Sequence, residues 1–221
     1  MRRTLHTETE KCSLSLSRVM NQAEGSVLQK ALSSFSCKHD PDIQNFLLNR
    51  AVKFERLLKS KTYLIVDDSQ VQNTEIAFEN LTIYGYISVA LKVFKAPETI
   101  SNRQRLLLDG FSAKEHGEQI SNFPCYLIGQ LARNSNVPKE SISGAELLKF
   151  AYRVVGGAVR LVGGRNILVE CRNIPKLVQF YTDNGFYEAC NIFTRLNQSR
   201  RIQKLHLLWV IAMNTSRRFT A

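Results

Sequence analysis

No pair of cysteines in this 221-residue chain stands at the spacing of a disulfide framework or a zinc site. Cys12, Cys37, Cys125, Cys171 and Cys190 are odd in number and scattered, and no histidine joins them in a ligand pattern. No metal site is expected, and the thiols read as reduced, as in a cytoplasm. No apolar run approaches the length of a membrane span, and Arg2 and Arg3 are followed by polar residues to Ser13 rather than by the apolar segment of a signal peptide. There is no internal repeat, and no segment has the form of a helix-turn-helix with a basic second helix, which puts a DNA regulator last among the functional classes. Acid is missing where the sequence ends: residues 189 to 221 hold Arg195, Arg200, Arg201, Lys204, Arg217 and Arg218 and no Asp or Glu. With 30 Lys and Arg against 19 Asp and Glu, the net charge of +11 favours anionic partners such as RNA, acidic proteins or phosphate-bearing cofactors. The acid-free end reads either as such an anion-binding edge or as the solvated surroundings of a last strand.

The apolar fraction, 44%, suffices for one good core. The default organisation is a mobile, partner-binding arm over residues 1 to 17, rich in Thr, Ser and Glu, and one domain over residues 18 to 221. Val19, Ala23, Val27, Leu28, Ala31 and Leu32 recur at helical spacing, interrupted by Gly25, and predict a helix over residues 19 to 35. A turn at Asp40-Pro41 leads into a second amphipathic helix through Ile43, Phe46, Leu47, Ala51, Phe54 and Leu58. The β-branched and aromatic stretches 62 to 68 and 82 to 94 predict two antiparallel strands with a long polar connection. Residues 96 to 123 read as an insertion with one short helical turn, and 124 to 133 as the next strand.

A helix through Leu147, Leu148, Ala151, Val154, Val155, Ala158 and Val162, closed by Gly163-Gly164, then leads to the strand "RNILVEC". Strand, loop, helix and strand make a crossover unit. The short helix "IPKLVQFYTDNG" follows, with Asn173 as its cap, Pro175 in its first turn and Gly185 at its end. "FYEACNIF" and "KLHLLWVIAM" close the fold as an antiparallel pair; the second, with Trp209, is either an internal strand or an edge that pairs across a homodimer. The sum is an α+β fold, a mixed and mostly antiparallel central sheet with flanking helices.

A crossover of this kind aims the N-terminus of its helix past the end of a strand, where free backbone N–H groups bind phosphate. The loop here is "NSNVPKESISG". Ser143 and Glu146 form the Ser-x-x-Glu capping box, which starts the helix at about Gly144. Lys139 and Arg133 supply positive charge for a pyrophosphate, whereas Glu146, folded back on the cap, opposes an anion. Glu170 lies inside a strand; it is a candidate general base for an amine, and such a carboxylate is more commonly solvated or ion-paired. Cys171 has no histidine placed to activate it and reads as a small buried residue. "VVGGAVRLVGG" shares only composition with a phosphate loop, and His6, His39, His116 and His206 are dispersed.

The order "YLIGQLAR", polar loop, "SGAELL", "NILVEC", "FYTDNGF" resembles the GNAT (Gcn5-related) N-acetyltransferases over residues 35 to 210. "FSCKHDPDIQNFL" and "TYLIVDD…IYGYISVAL" resemble the subgroup that includes the GNAT toxins of toxin–antitoxin modules. The resemblance implies acetyl-CoA as acyl donor. It places the pyrophosphate on the loop at Lys139, Ser141, Ser143 and Gly144, and the pantetheine amide on backbone N–H groups around Leu131 and Arg133. Asn173 would touch the pantetheine arm, and Tyr181 of the "FY" pair would be the general acid that protonates the departing CoA thiolate. The family's loop pattern, (Gln/Arg)-x-x-Gly-x-(Gly/Ala), aligns Lys139, Ile142 and Gly144 with its three fixed positions, so Ile142 stands where a glycine lets backbone approach phosphate.

Two functions follow. One is an N-acetyltransferase acting on a primary amine, that of an aminoacyl-tRNA or of a protein, with the basic C-terminal residues holding tRNA. The other is a GNAT-fold binding module for RNA or protein whose cofactor loop has degenerated at Ile142. Tyr181 also has an ordinary structural reading, packed with Leu177 and Phe180 into a core.

Overall fold

The computed structural model describes residues 10–72, 75–111, 120–194 and 204–212. Residues 1 to 9 of the expected arm, His116, and the cations Arg195, Arg200, Arg201, Arg217 and Arg218 lie outside the described residues. The two compact units of the chain comprise residues 1–88 with 130–151, and residues 89–129 with 152–221.

The first described element of the first unit is a strand, within the stretch expected to be an arm. β1 (Lys11–Ser15) pairs antiparallel with β2 (Lys61–Asp67), Leu14 opposite Leu64, because alternate residues of this Ser-rich stretch, Leu14 and then Leu16, are apolar enough to be buried. The Ser15 side chain then caps α1 (Leu16–Gln22). The single helix expected over residues 19 to 35 is two: α1 stops at Ala23, and α2 (Gly25–Ser33) restarts at Gly25, whose φ of +56° lies in the left-handed region. Asp40 caps α3 (Pro41–Asn45), which passes through one π-helical turn (Phe46–Arg50) into α4 (Ala51–Arg56). Between β2 and the long strand β5 (Ile83–Lys95), the polar connection folds a small hairpin of β3 (Val71–Gln72) and β4 (Glu75–Ile76). Strand order in this unit is β1-β2-β5-β6, with β6 spanning Asn122–Arg133. Leu14, Leu32, Phe35, Leu47, Leu64 and Tyr86 are among the side chains of its core.

In the second unit the order is β5-β6-β7-β9-β8, with β7 at Asn166–Arg172, β8 at Tyr187–Thr194 and β9 at Lys204–Ala212. β6 and β7 are parallel, as the crossover requires, and β9 is antiparallel to both β7 and β8. β9 is therefore internal, the first of the two readings of it, and with both of its hydrogen-bonding sides used it is not an edge free to pair across a dimer. The insertion folds α5 (Asn102–Asp109), which Ser101 and Gln104 start with a reciprocal capping box and Gly110 ends in the left-handed conformation. Phe94, Ile100, Leu108, Phe123, Cys125 and Leu168 pack into a core. α6 (Gly144–Val162) closes on Gly163, and α7 spans Pro175–Asp183.

Candidate functional site

The first unit carries the loop that follows β6. Asn134 ends the strand with a side chain only 2% exposed. Its Oδ1 accepts from Ser36 N (3.0 Å) and Asn136 N (2.9 Å), and its Nδ2 donates to Ser34 O (3.1 Å) and Ile83 O (2.7 Å). One amide thus ties the loop to the α2–α3 connection and to the start of β5. Ser135 adds two bonds to the same connection, its N to Ser36 O and its Oγ accepting from Lys38 N. This hub was missed at the level of sequence, where "NSN" signalled only a polar turn.

From there the loop makes a single 3-10 turn, Lys139–Ser141, and delivers Ile142 in extended backbone, φ −155°, with its side chain fully buried. Ile142 is thus a core anchor, and its backbone conformation does not need a glycine. Lys139 is exposed, while Ser141 is half-buried. Ser143 and Glu146 form the expected capping box: Ser143 N donates to Glu146 Oε2 at 2.7 Å, and Glu146 N to Ser143 Oγ at 3.1 Å. The hydrogen bonds from Ser143, with Lys11 and Lys149 nearby, hold the Glu146 carboxyl below its ordinary range. Leu147 N reaches Ser143 O, so among the described residues Gly144 and Ala145 keep N–H groups without an acceptor. These two amides, rather than a glycine-rich cradle, are what the loop offers an anion. Leu131 and Arg133, both half-buried, precede it on β6.

The second unit carries Tyr181, Asn173 and the parallel pair. β6 and β7 are in register over Cys125–Ile128 and Asn166–Val169, and the pairing stops at Ile128 and Val169. β7 runs on to Arg172, where Ile174 N turns back to Arg172 O. Asn173 is exposed and is not the helix cap: that position belongs to Ile174, which has no side chain to bond the first turn, while Pro175 needs no N–H partner. Glu170 makes an ion pair with Lys92 and is accordingly no free base. Cys125, buried, has its thiol pushed up to about 11, so it stays protonated and inert.

α7 ends within the segment "FYTDNGF". Gly185, at φ +82°, is the left-handed C′ residue. Phe186 N bonds Tyr181 O at 3.0 Å and Gly185 N bonds Thr182 O at 2.9 Å, the paired bonds of a Schellman motif. The apolar contact that accompanies this motif is the Tyr181 and Phe186 rings themselves, 5.4 Å apart and edge to face, with Phe180 at 5.1 Å on Tyr181 and Tyr152 stacked on Phe186 at 6.4 Å. Tyr181 is 7% exposed, and burial, reinforced by Cys171 and Tyr152, raises its phenol well above the usual tyrosine value. It is protonated throughout the neutral range, as an acid must be before it acts.

The described residues hold no cluster of metal-ligating side chains and no helix long and apolar enough to cross a membrane. No family model matches the sequence, and no curated protein matches it. The fold, however, is that of the GNAT acetyltransferases, and its structural neighbours include proteins described as toxins. AtaT in complex with acetyl-methionyl-tRNAfMet aligns with 90% of this chain and 94% of its own at a TM-score of 0.57 and 18% identity. A Tyr-to-Phe mutant of KacT aligns over 92% and 95% at 0.57 and 16%. AtaTR bound with acetyl-CoA aligns over 92% and 94% at 0.57 and 18%.

Proposed function

We propose that residues 18 to 221 act as one acetyl-CoA-dependent N-acetyltransferase domain whose acceptor is a primary amine, that of an aminoacyl-tRNA in the toxin-like reading. The observation that carries this is the parallel pairing of β6 and β7 that ends after four residue pairs while β6 leads into the capped start of α6. Acetyl-CoA supplies the acyl group as a thioester. The β6 backbone beyond Ile128 offers N–H groups around Leu131 and Arg133 to the pantetheine amide and to the developing oxyanion. Gly144 and Ala145 N–H, with Lys139, Ser141 and Ser143 around them, hold the pyrophosphate. Asn173, relieved of any capping duty, is available to the pantetheine arm. Tyr181 gives its proton to the leaving thiolate as the amine nitrogen bonds to the acyl carbon and the C–S bond breaks, and the proton that the nitrogen then sheds returns through solvent to the phenolate.

Three features support the setting: the fold neighbours include proteins bound with acetyl-CoA and tRNA, the net charge is +11, and Cys12, Cys37 and Cys125 form no disulfide, which fits the cytoplasm. Glu146 favours a second reading, a binding module without catalysis, because its carboxylate sits where the pyrophosphate would. Tyr181→Phe keeps the ring packing and separates the two. The acetyltransferase reading expects unchanged acetyl-CoA affinity and turnover reduced by roughly 10²–10⁴-fold. Full turnover in Tyr181→Phe would remove the acid assignment.

A further inference from the structure

The helical run α3, π turn and α4 buries Phe46, Leu47, Ala51 and Glu55 and turns Asn45, Asn49, Arg50, Lys53 and Arg56 to solvent, with Lys59 exposed just beyond. Of the two carboxylates in this run, Asp42 lies in the first turn of α3, and Glu55, beside the cations, is 3% exposed and engaged by other groups. It pairs with Lys61 at 2.9 Å, accepts from Thr62 N at 2.9 Å, and accepts from the Ser17 hydroxyl. Arg50, Lys53, Arg56 and Lys59 therefore have no carboxylate partner among the described residues. Four uncompensated cations on one short face attract a polyanion rather than stabilise the fold.

Two further features narrow the partner. The π turn, closed by Ala51 N on Phe46 O, places the Arg50 guanidinium 5.0 Å from the Phe54 ring and 6.0 Å from Phe46, and Lys59 lies 5.8 Å from the same Phe54 ring. Isolated π turns recur at functional positions, and a cation-bearing aromatic surface stacks unpaired bases. Beside it lies an open cavity of about 380 Å³ lined by Ser36, Cys37, Lys38, Gln44, Asn45 and Asn49. Its wall is fixed: Ser36 N is held by Asn134, Lys38 N by Ser135, and Cys37 N by Gln44 Oε1 at 2.9 Å. Asn49 Nδ2 donates to Asn45 Oδ1 at 2.7 Å, which leaves amide donors on Asn45 and an acceptor on Asn49, both exposed residues, to complement a nucleobase edge. The cations of the run are confined to its Arg50–Arg56 end, and Asp40 and Asp42 stand at the other. The backbone of a bound strand is thereby steered toward Arg50–Lys59, with a base toward the amides.

We propose that the exposed face of α3–α4 and its adjoining cavity bind single-stranded RNA, a stretch of phosphodiester on Arg50, Lys53, Arg56 and Lys59 and one base at Asn45 and Asn49. This surface takes the RNA part of the acceptor and rests on the acetyltransferase reading for that role alone. The test is fluorescence anisotropy of the full chain with a labelled 12-nucleotide single-stranded RNA, without acetyl-CoA, over a salt series. Lys53→Ala/Arg56→Ala/Lys59→Ala lowers the slope of log K against log salt by about 2, near 0.7 per cation removed. Asn45→Ala/Asn49→Ala weakens binding at least about fivefold without changing the slope. Lys53→Glu, a single exposed site outside the core, weakens binding too and guards against loss of fold in the triple variant. An unchanged slope in the triple variant, the whole change appearing instead in Arg200→Ala/Arg201→Ala, or equal affinity for the same sequence as a duplex overturns the proposal. Because no acyl donor is present, absence of acetyl transfer with intact RNA binding contradicts only the enzymatic reading.

Discussion

Replacing Asn134 by alanine removes a side chain that serves four backbone groups at once. Ser34 O retains a second donor, Asn136 Nδ2 at 3.2 Å, so its loss is partial. Ile83 O loses a buried 2.7 Å bond, and Ser36 N and Asn136 N lose their acceptor in part-buried surroundings. An orphaned buried group costs about 1–3 kcal/mol, and a lost but rehydrated bond about 0.5–1.5 kcal/mol. One of the first kind and two of the second give about 2–6 kcal/mol in all, a large fraction of a typical domain's stability. Asn134→Asp keeps both acceptor bonds yet sets a carboxylate against the Ser34 and Ile83 carbonyls, so it is destabilised as well and does not restore the wild type. Urea unfolding followed by circular dichroism measures both variants. In Asn134→Ala the loop also loses its tie to the α2–α3 connection, so acetyl-CoA affinity in the folded population falls with stability. A change under about 1 kcal/mol would refute the assignment of Asn134 as the loop's anchor.

Other expectations are independent of this one. Glu146→Gln retains the capping-box geometry but removes a charge beside the Gly144 and Ala145 amides, so acetyl-CoA affinity rises several-fold in calorimetry; no gain would mean the anion binds elsewhere. The folded Glu146 carboxyl titrates below its unfolded value. Its contribution to stability is therefore present above the unfolded carboxylate range and is lost as pH falls through the folded one. Thermal melts between pH 5 and pH 2.5 should show that loss in wild type and less of it in Glu146→Gln. A Cβ on Gly85 would meet the backbone oxygen of Ala132 at 2.7 Å and Leu147 at 2.8 Å, so Gly85→Ala destabilises by about 1–3 kcal/mol in chemical unfolding; a neutral result would show that β6 can shift. Phe186→Ala removes the aromatic partner of Tyr181 at the Schellman turn and should lower the melting point while disturbing near-ultraviolet circular dichroism of the tyrosines.

The crossover was legible in the sequence because its signals are local. The capping box at Ser143 and Glu146, the glycine pair after Val162, the β-branched run of β7 and the Asn-Gly stop of α7 each fix a boundary without help from the rest of the chain. β1 was hidden because five residues with alternating small polar side chains acquire strand character only by pairing with β2. The π turn leaves the helical spacing of Phe46, Leu47, Ala51 and Phe54 almost unchanged, so periodicity does not report it. Asn173 looked like a cap because capping residues are read by type, whereas the local turn, Ile174 N on Arg172 O, puts Ile174 in that position. At the candidate site, the Ser143 and Glu146 pairing was visible while the Asn134 hub was not. Its partners Ser34, Ser36 and Ile83 lie far away in sequence, and only the fold brings them to one amide. Ile142 is the instructive departure from the family pattern: a branched apolar residue at a glycine position reads as damage until its side chain is found buried under the loop.

Calorimetry of the full chain with acetyl-CoA, paired with thermal unfolding in the same buffer, tests the central claim most directly. The account predicts one-to-one binding in the micromolar range and, at about 100 times the dissociation constant, a stabilisation of about 2.7 kcal/mol. For a chain of this size that is a rise in melting point of about 5–10 °C. No heat and no shift at millimolar acetyl-CoA would contradict it, and would leave a GNAT fold that binds without transferring an acetyl group.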